Sequence, residues 1–173
     1  MRITFAVLFA SFITVFGCLG QRNVYIYKAK PTYFVGTDLF SGKNVCLTIK
    51  DKRVIDAKTK VKFTFEELSV SISETLKKAC PKATFTDTED GADVLLSIDV
   101  ERYDVRFTGV IFTGITRYNI HVKPTGGDTS GNVVEGLCTR GNILGTSTAK
   151  SVIQKSFDDA SRKLLDYLMK SQE

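Results

Sequence analysis

Between residues 44 and 170 the apolar positions fall into alternating runs and helical stripes. From Asn44 to Lys50, Val45, Leu47 and Ile49 share one face while Cys46 and Thr48 share the other, which is the period of a half-buried strand. A longer run, Asp93 to Phe107, puts Val94, Leu96, Ile98 and Val100 on one side and Ser97, Asp99 and Glu101 on the other. Ile115 to Lys123 alternates in the same way, with Thr116, Tyr118, Ile120 and Val122 turned inward and Arg117, Asn119 and His121 outward. A third strand of this group is expected from about Val133 to Ile143, after the loop Pro124–Gly131. Shorter strands are expected at Thr84–Thr86, within Val54–Phe63 and, as a strand or an extended tether, at Val24–Tyr27. Alternation of this kind predicts an antiparallel sheet with one covered face.

Two segments carry helical spacing instead. Phe65 to Cys80 repeats Leu68, Ile72, Leu76 and Ala79 on one side. Thr64 and Glu67 bracket its start in a capping-box pattern, in which each side chain serves the other's backbone amide. Lys77 and Lys78 suit the negative end of the dipole, and Pro81 stops the helix. Thr148 to Lys170 carries Ile153, Phe157, Ala160, Leu164 and Leu168, widened by Val152 and Leu165 to a core-facing stripe. The predicted architecture is α+β, an antiparallel β-sheet with both amphipathic helices packed on one face.

The first residues follow another pattern. Arg2 is the only charge before Arg22, and Ile3 to Phe16 is nearly unbroken in its apolarity. A charged start followed by an apolar run shorter than the roughly 20 residues of a membrane span reads as a secretory signal. Val15-Phe16-Gly17-Cys18 resembles the bacterial lipobox, which makes residues 1–17 the signal peptide and Cys18 the acylated first residue. Two alternatives stand beside it: cleavage after Cys18-Leu19-Gly20, releasing a soluble chain near Gln21, and an uncleaved anchor helix. Residues 18–43 then form a tether and irregular segment, and 44–173 a single domain. Leu19 after the cysteine points, by resemblance to Gram-negative lipoproteins, to the outer membrane.

Composition adds bounds. With 43% hydrophobic and 25% charged residues the chain is ordinary for a globular protein. The net charge of +5 falls to +4 without Arg2, a mild basicity that suits anionic headgroups or polysaccharide. No Lys/Arg stripe is interleaved with stacking aromatics, so nucleic acid is not an expected partner. Beyond Cys18, the spacing of Cys46, Cys80 and Cys138 matches no zinc pattern. Buried free thiols are the simple expectation, with a Cys46–Cys80 bridge as the alternative.

Several local sequences are shared with a known group. They are Cys46-Leu47-Thr48-Ile49-Lys50-Asp51-Lys52-Arg53, the helical run Ile72 to Cys80, Ala92-Asp93-Val94-Leu95-Leu96-Ser97-Ile98, and Gly145-Thr146-Ser147-Thr148 before the last helix. In this order, behind a lipobox, they resemble the YajG-like lipoproteins of bacteria over residues 44–170. The resemblance implies a non-enzymatic envelope lipoprotein, and it bears on location and fold more than on mechanism.

Catalytic chemistry finds little support. His121 is the only histidine, so every mechanism needing imidazole depends on a residue expected on an open strand face. Asp99 and Glu101, about 7 Å apart by strand rise, have the separation of paired glycosidase carboxylates, but charges alternating on a solvent face are ordinary. The acidic run Asp87-Thr88-Glu89-Asp90-Gly91 lacks the EF-hand spacing and reads as a solvated turn. No phosphate-binding loop or nucleophile elbow is present, and no cofactor or metal is expected.

One segment departs from the rule that turns are polar. Phe107-Thr108-Gly109-Val110-Ile111-Phe112-Thr113-Gly114 joins two long strands and places Val110, Ile111 and Phe112 between two glycines. Either these residues project at a hairpin tip and contact a membrane or partner, or they fold back beneath a helix. The functional expectation is a non-enzymatic, membrane-anchored binding or assembly module of the cell envelope. It would face the periplasm, held by lipid on Cys18 and contacting an envelope protein. The alternative is a carrier of a lipidic or small apolar ligand, with a hydrolase using His121 third.

Overall fold

The computed structural model describes residues 37–54, 64–141 and 148–171. The expected signal peptide, Cys18, the Val24–Tyr27 stretch, all but Val54 of the Val54–Phe63 segment, residues 142–143 and Gly145–Ser147 lie outside the described residues. The elements run β1 (Asn44–Asp51), α1 (Phe65–Ala79), β2 (Thr84–Thr86), β3 (Val94–Phe107), β4 (Ile111–Pro124), β5 (Ser130–Gly141) and α2 (Ala149–Lys170).

One five-stranded sheet has the order β2-β1-β3-β4-β5. It is mixed, which corrects the antiparallel expectation. β3, β4 and β5 pair antiparallel, but β1 is parallel to both β2 and β3. The reason lies in the connections. A tight turn reverses the chain between β3 and β4, whereas the crossover through α1 returns it to the end at which β1 began, and such a return makes neighbours parallel. Alternation reports which face a side chain takes and carries no information on strand direction.

The covered face follows the sequence pattern closely. Val94, Leu96, Ile98 and Val100 of β3 are buried with Tyr118, Ile120 and Val122 of β4 and Val134 of β5. They form one hydrophobic cluster with Leu68, Ile72, Leu76 and Ala79 of α1 and Ile153, Phe157, Ala160, Leu164 and Leu168 of α2. Each such large side chain contributes roughly 1.5–3 kcal/mol on burial. Leu39 and Phe40, in the turns just before β1, join the same cluster. Thr37 ties that segment to the end of α1, its amide donating to the Ala79 carbonyl at 2.8 Å.

Two glycines let α2 lie unusually close to the sheet. A Cβ at Gly114 would stand 2.7 Å from the Val152 carbonyl oxygen, and one at Gly136 would overlap the Ser156 carbonyl oxygen and the Ala160 amide. Between them a buried contact of 2.8 Å joins the hydroxyls of Thr116 and Ser156. The helix starts differ from each other. Thr148 caps α2, its side chain accepting from the Ser151 amide at 3.2 Å. At α1 the Thr64 hydroxyl instead donates to the Glu67 carboxylate at 2.9 Å and caps no backbone amide, so the expected reciprocal box is replaced by one side-chain pair.

Between Val100 and Arg102 the β3–β4 register shifts, leaving Glu101 without a cross-strand partner. Such a bulge exchanges the faces of the residues that follow. Tyr103 is therefore buried, where its ring meets Phe157 edge-on.

Candidate functional site

Beyond the reach of α2 the β3–β4 ladder continues. It ends in the pair Phe107↔Phe112, closed by Thr108, whose amide donates to the Ile111 carbonyl at 3.0 Å. The two residues between are Gly109 and Val110, with Gly109 at φ 79°. Positive φ at the first of two turn residues is the geometry of a tight hairpin, and glycine adopts it without strain. Gly109 therefore makes the turn short, and a short turn presents its neighbours rather than folding them back.

Phe107 is 53% exposed, Val110 59% and Ile111 39%, and Phe112 is half-buried. The Phe107 and Phe112 rings stack with centroids 4.5 Å apart. Of the two arrangements open to this segment, the structure adopts the projecting one. Register adds two residues that the sequence reading did not single out. Arg106 pairs with Thr113 and lies on the sheet's open face; Arg140 pairs with Phe112 and lies on the covered face. Both are exposed. The stretches 105–114 and 136–141 contain no carboxylate. Arg106 was readable as the neighbour of Phe107, whereas Arg140 reaches the tip only through the β4–β5 pairing.

Elsewhere the titratable candidates do not converge on chemistry. Ser97 faces His121 and Asp99 faces Asn119 across β3 and β4, which sets serine, histidine and aspartate on neighbouring positions of the open face. The His121 ring, however, leans over Gly131 of β5, with Nδ1 3.2 Å from where a Cβ there would stand. That places it on the far side from Ser97. One oxygen of Asp99 is buried without a hydrogen-bond partner. Glu101 lies in the bulge, so the regular Asp99/Glu101 spacing of a continuous strand does not apply. Cys46 and Cys80 are free and buried, so the alternative bridge is not formed, and Cys138 is free and half-buried. Burial pushes the Cys80 thiol up, against an opposing contact with the Thr37 hydroxyl.

The outer edge of β5 is managed by α2. Lys163 Nζ donates to the Glu135 carbonyl at 2.7 Å and the Leu137 amide donates to the Asp159 carboxylate at 3.3 Å. Lys163 and Asp159 also pair at 2.9 Å. These side chains occupy edge groups that would otherwise template another strand. The groove alongside, about 370 Å³, is lined by Glu135, Lys163, Asp166 and Lys170 as well as Val133, Val134 and Tyr167. Among the described residues no helix is long and apolar enough to cross a membrane.

The polar residues at the ends of β1 and at the start of β3 serve structure. Asp93 accepts from the Asn44 amide at 2.7 Å and returns its own amide to the Asn44 carbonyl at 2.8 Å, pinning β1 to β3. Asp51 holds Arg53 at 2.8 Å, and the guanidinium sits over the Phe65 ring.

No family model matches this chain, and no curated protein matches it. Solved structures do. A Xanthomonas campestris protein of the family DUF330 superposes with a TM-score of 0.52 at 12% identity, covering 84% of this chain and 92% of its own. The rare lipoprotein B of Shewanella oneidensis gives 0.49 at 14% identity, covering 75% and 96%. A minor lipoprotein of Acinetobacter baumannii gives 0.46 at 12%, covering 77% and 95%. At such identities the likeness concerns the fold alone, and the first of the three carries it.

Proposed function

We propose that this protein is a lipid-anchored, non-enzymatic module of the bacterial cell envelope that acts by binding through the β3–β4 hairpin tip. The observation that carries the reading is the exposed apolar tip itself, four large apolar side chains around a two-residue turn. The lipobox at Val15–Cys18 and the sequence likeness to YajG-like lipoproteins support the envelope location. Acylated Cys18 supplies the anchor, facing the periplasm, and Leu19 supports the outer membrane. The two helices cover one face of the sheet, and the tip stands at the end opposite the one where the chain leads into β1, since β1 and β3 start together at Val45↔Val94.

The test has two parts. Intact mass of the protein from its native membrane is expected to show a chain starting at Cys18 with acyl groups, lost in Cys18→Ser; a soluble product starting near Gln21 would remove the anchor. Replacing Ile111 and Phe112 with serine is expected to lower stability by no more than ~1.5 kcal/mol, the scale of one lost aromatic pair. A loss of several kcal/mol would place both side chains in the core and end the reading of the tip as a contact.

A further inference from the structure

The tip is apolar on both of its faces. Phe107 and Phe112 stack on the covered side, Ile111 pairs with Gly141 on the open side, and Val110 caps the end. A flat protein surface is met from one side, so docking there would leave half of this wedge in water. A fluid apolar medium surrounds it.

The charges complete the pattern. Arg106 stands one residue behind Phe107 on the open face, and Arg140, level with its partner Phe112, stands on the covered face. This sets one arginine on each side of the hairpin; the carboxylate two residues behind Arg106, Asp104, is held by Arg102 at 3.0 Å. Long arginine stems lie along apolar surface while their guanidinium groups stay at the polar boundary, and each such cation is attracted to an anionic lipid surface. Strand length supplies the reach. A strand of 14 residues such as β3 spans roughly 46 Å at about 3.3 Å per residue, whereas the 22 residues of α2 span roughly 33 Å at 1.5 Å per residue. Past Gly114, where Val152 of α2 touches the sheet, β4 runs three residues further to Ile111, roughly 10 Å at about 3.3 Å per residue, which matches the depth of about 5–10 Å at which interfacial segments bury their apolar face.

We infer that the hairpin tip inserts into the interface of a bilayer rich in anionic phospholipid, with Phe107, Val110, Ile111 and Phe112 among the upper acyl chains and Arg106 and Arg140 at the headgroup phosphates. This rests on the proposed role of the tip as the contact. A second attachment on the same molecule becomes intramolecular once the lipid has anchored it, and so multiplies the hold of the first. The nineteen peptide steps from Cys18 to Thr37 extend to at most roughly 65 Å, longer than the sheet, so one bilayer accommodates both attachments.

The chain contains no tryptophan, so Ile111→Trp in the full-length protein provides a single local reporter. Asp128→Trp, in the exposed turn at the other end of β4, is the control. Both are reconstituted into phosphatidylcholine vesicles with and without phosphatidylglycerol. The indole at position 111 is expected to shift to the blue, resist acrylamide and be quenched by brominated acyl chains in the anionic vesicles, while that at 128 stays in water. Adding Arg106→Ala and Arg140→Ala is expected to lower the ratio of inserted to exposed indole about thirtyfold. Equal insertion with and without phosphatidylglycerol would overturn the anionic requirement. An indole exposed in both vesicles but protected once solubilised envelope proteins are added would overturn the lipid inference and leave the tip as a protein contact. An indole exposed throughout would sink both. Val110→Trp repeats the measurement if Ile111→Trp unfolds.

Discussion

Gly136→Ala adds one methyl group, and the structure says it should be among the costliest small changes in the protein. The new Cβ would overlap two backbone atoms of α2, the Ser156 carbonyl oxygen and the Ala160 amide, and would stand 2.8 Å from the Ala160 Cβ. Backbone cannot rotate away as a side chain end would, so α2 must lift from β5. Overpacking that forces such a shift costs about 1–3 kcal/mol. Lifting also strains the Thr116–Ser156 hydroxyl contact, itself 2.8 Å and buried, and losing a buried hydrogen bond costs about 1 kcal/mol more. A total near 3 kcal/mol corresponds to a fall in Tm of about 10 °C for a domain of this size. Thermal unfolding followed by circular dichroism measures it, with urea midpoints as a second readout. Gly127→Ala is the control, since its Cβ would make only ordinary contacts of 3.4–3.6 Å with Pro124, and it is expected within about 0.5 kcal/mol of the parent. If Gly136→Ala melts within 2 °C of Gly127→Ala (a gap of roughly half a kcal/mol), the helix is not seated where these contacts put it.

Two further predictions concern single groups. Burial acts to raise the Asp159 carboxyl, but hydrogen bonds from Lys163, Arg162 and the Leu137 amide outweigh it and hold the group below the usual carboxylate range. Its folded value is thus the lower one, so its stabilisation is present above the unfolded value near pH 4 and is lost as pH falls through the folded value. After discounting for partial exposure the contribution is about 1 kcal/mol. Asp159→Asn should therefore lose stability at neutral pH and show a flatter acid limb below about pH 4; a limb of unchanged steepness would remove Asp159 from the edge of β5. Thiol titration of the folded protein with Cys18 replaced should modify Cys138 first, because Cys46 and Cys80 are buried and reactivity requires an accessible thiolate. Cys80 reacting as fast as Cys138, or a mass two hydrogens short, would contradict the free, buried thiols.

Period was legible in the sequence and direction was not. The inward set Val94, Leu96, Ile98 and Val100, with Tyr118, Ile120 and Val122, appears in the core as its alternation predicts, because burial of one face depends only on a period of two. The stripe from Ile153 to Leu168 on α2 is buried for the corresponding reason at 3.6 residues. The parallel pairing of β1 depends on what crosses between strands, and no pattern inside Asn44–Asp51 records it. The bulge at Glu101 was equally silent. It moves Tyr103 from the face where simple alternation puts it into contact with Phe157.

The candidate site divides along the same line. That Val110, Ile111 and Phe112 are too apolar for a turn is plain from their identities; whether something covers them is a question of relative lengths. A 14-residue strand and a 22-residue helix look mismatched in favour of the helix when counted in residues. In space the order reverses, because a strand advances about 3.3 Å per residue and a helix 1.5 Å. α2 is seated against Gly114 through Val152 and against Ser130 through Tyr167, so its span is spent between those two points. The ladder beyond Gly114 carries its apolar residues past the helix. A helix lengthened by several residues at its start would have turned the same sequence into core. The exposure of the tip therefore goes with its distance from that close contact: Gly114, which brings the helix near, stands three residues from Ile111 along β4.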